Sequence, residues 1–147
     1  MIQIKEASAE DLEQLLSLYS TVYGDEVLAE DESVRKIWNQ VITNHLYHVI
    51  VAEENNKIIS SCICVIVHNL ACDHRPYAIV ENLVTHSAFR AQGLATACLM
   101  EAQRIAESEN CCQISLLTAS KLPSTHKIYE RLGYSKDDMT AFTKWLV

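Results

Sequence analysis

Three groups of residues in this 147-residue chain have types and spacings suited to chemistry. The first is the run Arg90-Ala91-Gln92-Gly93-Leu94-Ala95, which lies between a strand-like and a helix-like segment. A strand that turns into a helix exposes unpaired backbone N–H groups and the positive end of the helix dipole, which suits the run to cradling a phosphate. Gly93 lets the backbone approach a ligand, the small Ala95 leaves room beside it, and Arg90 can add a bidentate charged contact. Neither GxxxxGK(S/T) nor GxGxxG is present, so the anion is not held by a nucleotide-kinase loop or a dinucleotide fingerprint. The second group centres on Glu81, a carboxylate inside the otherwise apolar Ile79-Val80-Glu81-Asn82-Leu83-Val84. A charge there is either functional, an edge residue or paired in the core. Alternation predicts Glu81, Leu83 and Thr85 on one face. The third group is the six cysteines. Cys62 and Cys64 would share one strand face as small buried hydrophobes, while Cys72, His74 and the Cys111-Cys112 pair lack the CxxC spacing of a metal site, so no metal is expected.

These groups need elements to position them. Residues 2–5 alternate as a short strand, and Ser8 with Asp11 resembles a capping box before a helix that carries Leu12, Leu15, Leu16 and Tyr19 and ends near Gly24. A second helix starting near Asp31 or Ser33 places Val34, Ile37, Trp38, Val41 and Ile42 on one face. Residues 47–52 and 58–67 read as a hairpin around a turn at 54–57, and residues 78–85 form the next strand. A helix then runs to about Ser108, a strand covers 113–118, and a short helix covers 124–132 and stops at Gly133. The tail from Tyr134 supplies one or two further strands that include Phe142 and Trp145. The order βααβββαβαβ predicts an α/β fold with three α/β/α layers and a mixed central sheet.

The bulk composition narrows the class. With 49% apolar residues, 3 Gly, 2 Pro and no low-complexity run, residues 1–147 read as a single domain with one continuous structure. The first residues lack a signal-peptide layout and the longest apolar runs are strand-sized, so a soluble cytoplasmic protein with no membrane partner is expected. A net charge of −7 argues against a nucleic-acid partner. Residues 1–34 hold nine carboxylates against the single cation Lys5, which is either solvated helix surface or an acidic rim for a cationic ligand.

The segment Val84-Thr85-His86-Ser87-Ala88-Phe89-Arg90-Ala91-Gln92-Gly93-Leu94-Ala95 resembles the GNAT superfamily of acyl-CoA N-acyltransferases, whose signature is Q/R-x-x-G-x-G/A. Lys127-Ile128-Tyr129-Glu130-Arg131-Leu132-Gly133-Tyr134 is similar to that family's YexxGF segment, and the element order is the family's order. The resemblance implies acetyl-CoA as cosubstrate. Leu83, Val84 and Thr85 would pair through their backbone with the pantetheine arm, with an N–H near Leu83 polarising the thioester carbonyl. Arg90, Ala91, Gln92, Gly93, Leu94 and Ala95 would hold the pyrophosphate, with Thr96 at the helix start. Tyr129 stands at the general-acid position, where it would protonate the departing sulfur, and His126 is a candidate cofactor contact as well as an ordinary helix histidine. The sequence departs from the family where Leu122-Pro123-Ser124-Thr125-His126 replaces the usual upstream Asn.

On this reading a primary amine attacks the thioester directly, and Glu81 binds the acceptor ammonium or removes its proton. The acidic first segment lies where the family builds its acceptor pocket, which favours a small cationic molecule such as an amino sugar, polyamine or aminoglycoside; a peptide amine is a further candidate. The resemblance also implies pairing of two copies through the last strands. Two other readings compete: a noncatalytic acyl-CoA-binding sensor or partner module, and an enzyme using Cys98, Cys111 or Cys112 as nucleophile with a histidine.

Overall fold

Neighbouring residues of the central strands point into two different cores, and this division sets the architecture. On one face Val49 and Val51 pack with Ile58, Val84, Leu15 and Leu18; on the other Ile50 and Ala52 pack with Cys62, Cys64, Val80 and Leu99. The period-two alternation of a sheet buried on both sides produces this pattern. The computed structural model describes residues 1–24 and 30–146. Its elements are β1 (Ile2–Glu6), α1 (Leu12–Tyr23), α2 (Glu32–Ile42), β2 (Tyr47–Glu54), β3 (Lys57–Val67), β4 (Tyr77–Thr85), α3 (Leu94–Ser108), β5 (Ile114–Leu116) and α4 (Pro123–Arg131). Helices α1 and α2 cover the first core, while α3 and α4 cover the second. The fold is therefore the expected three-layer α/β/α arrangement.

Local signals start the helices. The Asp11 carboxylate accepts from the backbone N–H and the hydroxyl of Ser8, at 2.7 and 3.0 Å, just before α1. The Asp31 carboxylate accepts from the Val34 N–H at 2.9 Å and caps α2. In α3, Leu94, Cys98, Leu99, Ala102, Ile105 and Ala106 are buried along one helical stripe. The expected acidic segment is only partly visible, because Asp25 and Glu26 lie outside the described residues.

The five strands lie in sequence order. Pairs β1–β2, β2–β3 and β3–β4 are antiparallel, and β4–β5 is parallel. One irregularity governs β4. Ser61 pairs with Val84 and Ile63 with Glu81, so two steps along β3 face three along β4. The extra residue is a β-bulge, and within it Asn82 takes a left-handed φ of 51°. The bulge overturns the expected alternation. Glu81 shares a face with its partner Ile63 on the α1/α2 side, whereas Leu83 packs in the α3 core. Val80 and Val84, four residues apart, consequently sit in opposite cores.

A second expectation also fails. No described residue after Tyr134 is in a strand; Phe142 and Trp145 are 95% and 87% exposed, and Met139 and Leu146 are exposed with them. Strand propensity is realised only beside a partner, and no strand among the described residues pairs with this segment.

The bulge generates a direct test. Asn82→Val should cost about 1–2 kcal/mol in urea unfolding, because a β-branched side chain clashes in the left-handed region, while Asn82→Gly should stay within about 0.5 kcal/mol of the parent. Equal stability of the two variants would show that the left-handed residue is not required.

Candidate active site

The site begins where two strands part. The β4–β5 ladder runs from Ala78/Ile114 to Val80/Leu116 and stops, but β4 continues to Thr85. Its last residues therefore have a strand, β3, on one side only. Backbone directions follow from two bonds: Ala78 N–H donates to Gln113 O at the β5 side, and His86 N–H donates to Ile59 O at the β3 side. Stepping back by two from His86 turns Val84 toward β3 and leaves Leu83 and Thr85 presenting N–H and C=O groups to the open edge. Without the bulge at Asn82 these two residues would face β3 instead. The open edge can pair with an extended, amide-bearing ligand as a strand would.

The same strand runs into an anion cradle. After the turn Ser87–Phe89, Ala91 and Gly93 take left-handed φ values of 60° and 78°, and α3 starts at Leu94. The first bond into the helix is Ala97 N–H to Gly93 O at 2.9 Å, so the N–H groups of Leu94, Ala95 and Thr96 have no helical acceptor. They converge at the positive end of a 15-residue helix. Arg90 and Gln92 are exposed at the same loop. A Cβ on Gly93 would meet nothing within 4 Å, so glycine is needed there for its backbone conformation rather than for space within the chain. These features fit a diphosphate joined to an extended arm.

Residues not expected to contribute hold the two halves together. Fully buried Ser60 on β3 donates its hydroxyl to Val84 O at 2.9 Å and lies 2.8 Å from Thr85 Oγ1. The Cys98 thiol, one turn into α3, donates to Ser60 Oγ at 3.9 Å, and Cys62 donates to Cys98 O at 3.7 Å. His86 fixes the turn between strand and loop: Nδ1 accepts from Ala88 N–H at 3.2 Å, and its ring meets Phe89 edge-on at 5.5 Å. In the sequence Ser60 looks like any small strand residue, so only its register opposite Thr85 distinguishes it.

The candidate chemical groups lie on different sides of the sheet. Tyr129 on α4 packs against the α3 core together with Leu83, and its ring meets Tyr134 edge-on at 6.4 Å. Glu81 is exposed on the α1/α2 face at the start of the open edge and joins none of the ion pairs found among the described residues. Tyr19 and Tyr23 on α1 form an edge-on pair at 6.0 Å on that side, where burial pushes the Tyr19 phenol up to about 12. The His126 ring turns back to Ser120 O at 2.7 Å, which ties the start of α4 to the preceding loop. Cys98 is fully buried, and the histidine ring bonds found go to Glu6, Leu70 O, Ala88 N–H and Ser120 O rather than to a thiol. No three His, Cys, Asp or Glu side chains among the described residues form a group suited to a metal ion. No helix among them is long and apolar enough to cross a membrane. A separate cavity of about 340 Å³, bordered by Glu13, Gln14, Lys57 and His86, contains neither Glu81 nor Tyr129.

An open strand edge that feeds a helix N-terminus stands in a mixed five-stranded sheet, and comparison with known proteins gives this architecture its class. Residues 11–134 match the pattern of the acetyltransferase (GNAT) family. The chain belongs to that family, and acetyl transfer is its class of reaction. No curated protein matches it by sequence. Among solved structures it is similar to a protein from Agrobacterium tumefaciens str. C58 whose name marks it as a candidate acetyltransferase, with 27% identity, TM-score 0.89, and 97% of this chain and 99% of that chain covered. A transcriptional regulator from Bacillus halodurans C-125 has the same fold at 23% identity and TM-score 0.86, covering 99% of this chain and 100% of that one. AAC(6')-Iy in complex with the bisubstrate analog CoA-S-monomethyl-acetylneamine has it at 17% identity and TM-score 0.81, covering 100% and 99%.

Tyr134, beside Tyr129, supplies a test of this side of the site. Its hydroxyl is buried with no hydrogen-bond partner among the described residues, and burial pushes its phenol from 10.0 up to about 12. The folded state thus favours the neutral form, so its contribution is complete below about pH 10 and is lost as the pH rises toward 12. Tyr134→Phe should match or exceed parent stability by up to about 1 kcal/mol at pH 7 and should lose less between pH 10 and 12 in urea unfolding. A large loss at pH 7 would mean that the hydroxyl has a partner.

Proposed function

We propose that this chain transfers an acetyl group from acetyl-CoA to the primary amine of a small cationic molecule by direct attack on the thioester. The observation that carries the proposal is continuity: the open edge at Leu83 and Thr85 leads within a few residues to the free N–H groups of Leu94, Ala95 and Thr96. In this assignment Leu83, Val84 and Thr85 hold the pantetheine arm, with Leu83 and Thr85 as the backbone partners and Val84 positioned by Ser60. Arg90, Ala91, Gln92, Gly93, Leu94, Ala95 and Thr96 hold the diphosphate, and His126 at the start of α4 is assigned as a further cofactor contact. The gap beyond Val80 and Leu116 lets the two substrates meet from opposite faces of the sheet.

The chemistry divides between those faces. On the α1/α2 side Glu81 receives the ammonium and takes its proton, directly or through water, which frees the nitrogen lone pair to attack the carbonyl carbon. The Leu83 N–H stabilises the oxyanion as the C–N bond forms. As the C–S bond breaks, Tyr129 on the α3 side gives its proton to the sulfur and regains one from solvent. An amine acceptor is supported by the neighbour AAC(6')-Iy, an aminoglycoside N-acetyltransferase by name, and by the exposed carboxylate Glu32 at the start of α2. The reading places the enzyme in the cytoplasm.

The experiment is acetyl-CoA turnover over a panel of aminoglycosides, polyamines, amino sugars and peptides, read by thiol release and product mass. Tyr129→Phe should lower kcat about 10²-fold with little change in KM for acetyl-CoA, and Glu81→Gln should lower kcat/KM and flatten the acidic limb of its pH profile. Acetyl-CoA binding with no amine acetylated would instead support the noncatalytic module.

The exposed Met139, Phe142, Trp145 and Leu146 favour one addition to this reading, a homodimer in which that segment pairs with the free edge of β5 in a second copy. Two such segments bring four aromatic rings, each able to bury about 150–250 Å², and with the aliphatic residues approach the ~1,200 Å² of a small stable interface. Light scattering should give twice the chain mass for the parent and a monomer for the double variant Phe142→Asp, Trp145→Asp. A monomeric parent would remove the dimer.

A further inference from the structure

The cavity of about 340 Å³ that excludes Glu81 and Tyr129 lies between the first half of α1 and the start of β3, and its walls carry charges that no ion pair of the fold uses. Buried Leu18 and Ile58, both members of the core beneath α1, supply its apolar lining. The helix wall presents exposed Glu13 and Ser17, one turn apart on the same side of α1. The strand wall presents exposed Lys57, the first residue of β3. Glu13 and Lys57 are not paired with each other, and neither enters the ion pairs found among the described residues. Two further donors are oriented by the chain itself. Gln14 Oε1 accepts from the Ile58 N–H at 2.9 Å, which leaves the amide NH2 as a donor at the cavity. His86 Nδ1 accepts from the Ala88 N–H at 3.2 Å, so the neutral ring carries its proton on Nε2.

We propose that this cavity binds a small α-amino acid, whose ammonium meets Glu13 and whose carboxylate is held by Lys57 and the Nε2–H of His86, with the Gln14 amide and the Ser17 hydroxyl as further partners. The charge pattern selects the class. One carboxylate and one ammonium on separate walls complement a ligand that carries both charges, and each end then makes a charge-assisted hydrogen bond. A simple anion would instead leave Glu13 facing a like charge, and a simple cation would do the same to Lys57. The volume lies at the small end of ligand pockets, which span about 300–1,000 Å³, so it suits a small metabolite rather than a nucleotide. This site is separate from the proposed acceptor site. Glu81 pairs with Ile63, whereas Ile58 borders the cavity, so five residues of β3, roughly 16 Å, lie between them. An amino acid seated here keeps its nitrogen out of reach of Glu81. The proposal does not rest on acetyl transfer.

The test is an NMR titration of the isotope-labelled, full-length chain with L-alanine, L-serine, L-glutamine and L-glutamate, and with propionate and ethylamine as probes of a single charge. At least one amino acid should give saturable shifts at the amides of Ser17, Ile58 and Ala88, the last reporting on the His86 ring, and should bind about 10-fold or more tightly than either single-charge probe. Glu13→Gln and Lys57→Gln, both at exposed positions, should each weaken that amino acid by about 10-fold or more with the rest of the spectrum in place. Glu81→Gln should bind it like the parent. The single-charge probes carry the same test on the unaltered chain should a variant fail to fold. No saturable shift with any of the four amino acids, propionate or ethylamine binding as tightly as they do, parent-like affinity in Glu13→Gln or Lys57→Gln, or loss of binding in Glu81→Gln would each overturn the proposal.

Discussion

The structure turns on one left-handed residue in the middle of β4. Asn82 inserts an extra position into the strand, and everything beyond it is rotated by half a pleat. Before the bulge the strand spends its outward hydrogen bonds on β5; after it, Leu83 and Thr85 direct theirs to an edge that β5 has left. An irregularity that costs about 1 kcal/mol therefore turns the backbone groups of Leu83 and Thr85 to the edge left open where β5 ends. The same rotation separates Glu81 from Leu83, giving one group to each face of the sheet. The proposed roles of Glu81 as base and Tyr129 as acid use that separation.

A half-paired strand needs support from elsewhere. The long β3–β4 ladder supplies it on one side, and Val84 and Leu83 anchor it in the two cores. Ser60 completes the arrangement from within the core, because a single hydroxyl touches Val84 O and Thr85 and receives the thiol of Cys98 from α3. The strand edge and the helix that begins the anion cradle are thus tied together by buried polar contacts, which are stronger and more directional away from water. His86 and Phe89 fix the turn between them. The cradle is preorganised by its own chain.

Much of this was legible from the sequence, for a physical reason. The Arg90–Ala95 loop, the helix to Ser108 and the hairpin around residues 54–57 depend on contacts between near neighbours, and there the expected and observed elements agree. Cys62 and Cys64 do share a buried face, since no bulge lies between them. Glu81 was assigned the face of Leu83 because alternation was carried unbroken through Asn82, a residue type that tolerates left-handed backbone but does not announce it. The segment with Phe142 and Trp145 has strand-like composition, yet composition cannot supply the neighbour that a strand needs.

By itself, then, the sequence determined the element order up to α4, the two-sided burial of the sheet and the glycine turn into α3 at Gly93, because each follows from local periodicity, capping or backbone freedom. Tertiary structure alone decided which face Glu81 occupies, that Leu83 and Thr85 present an open edge, and that Ser60 braces the end of β4. Each of these depends on register between segments distant in the chain, and register is a property of paired strands rather than of either strand alone.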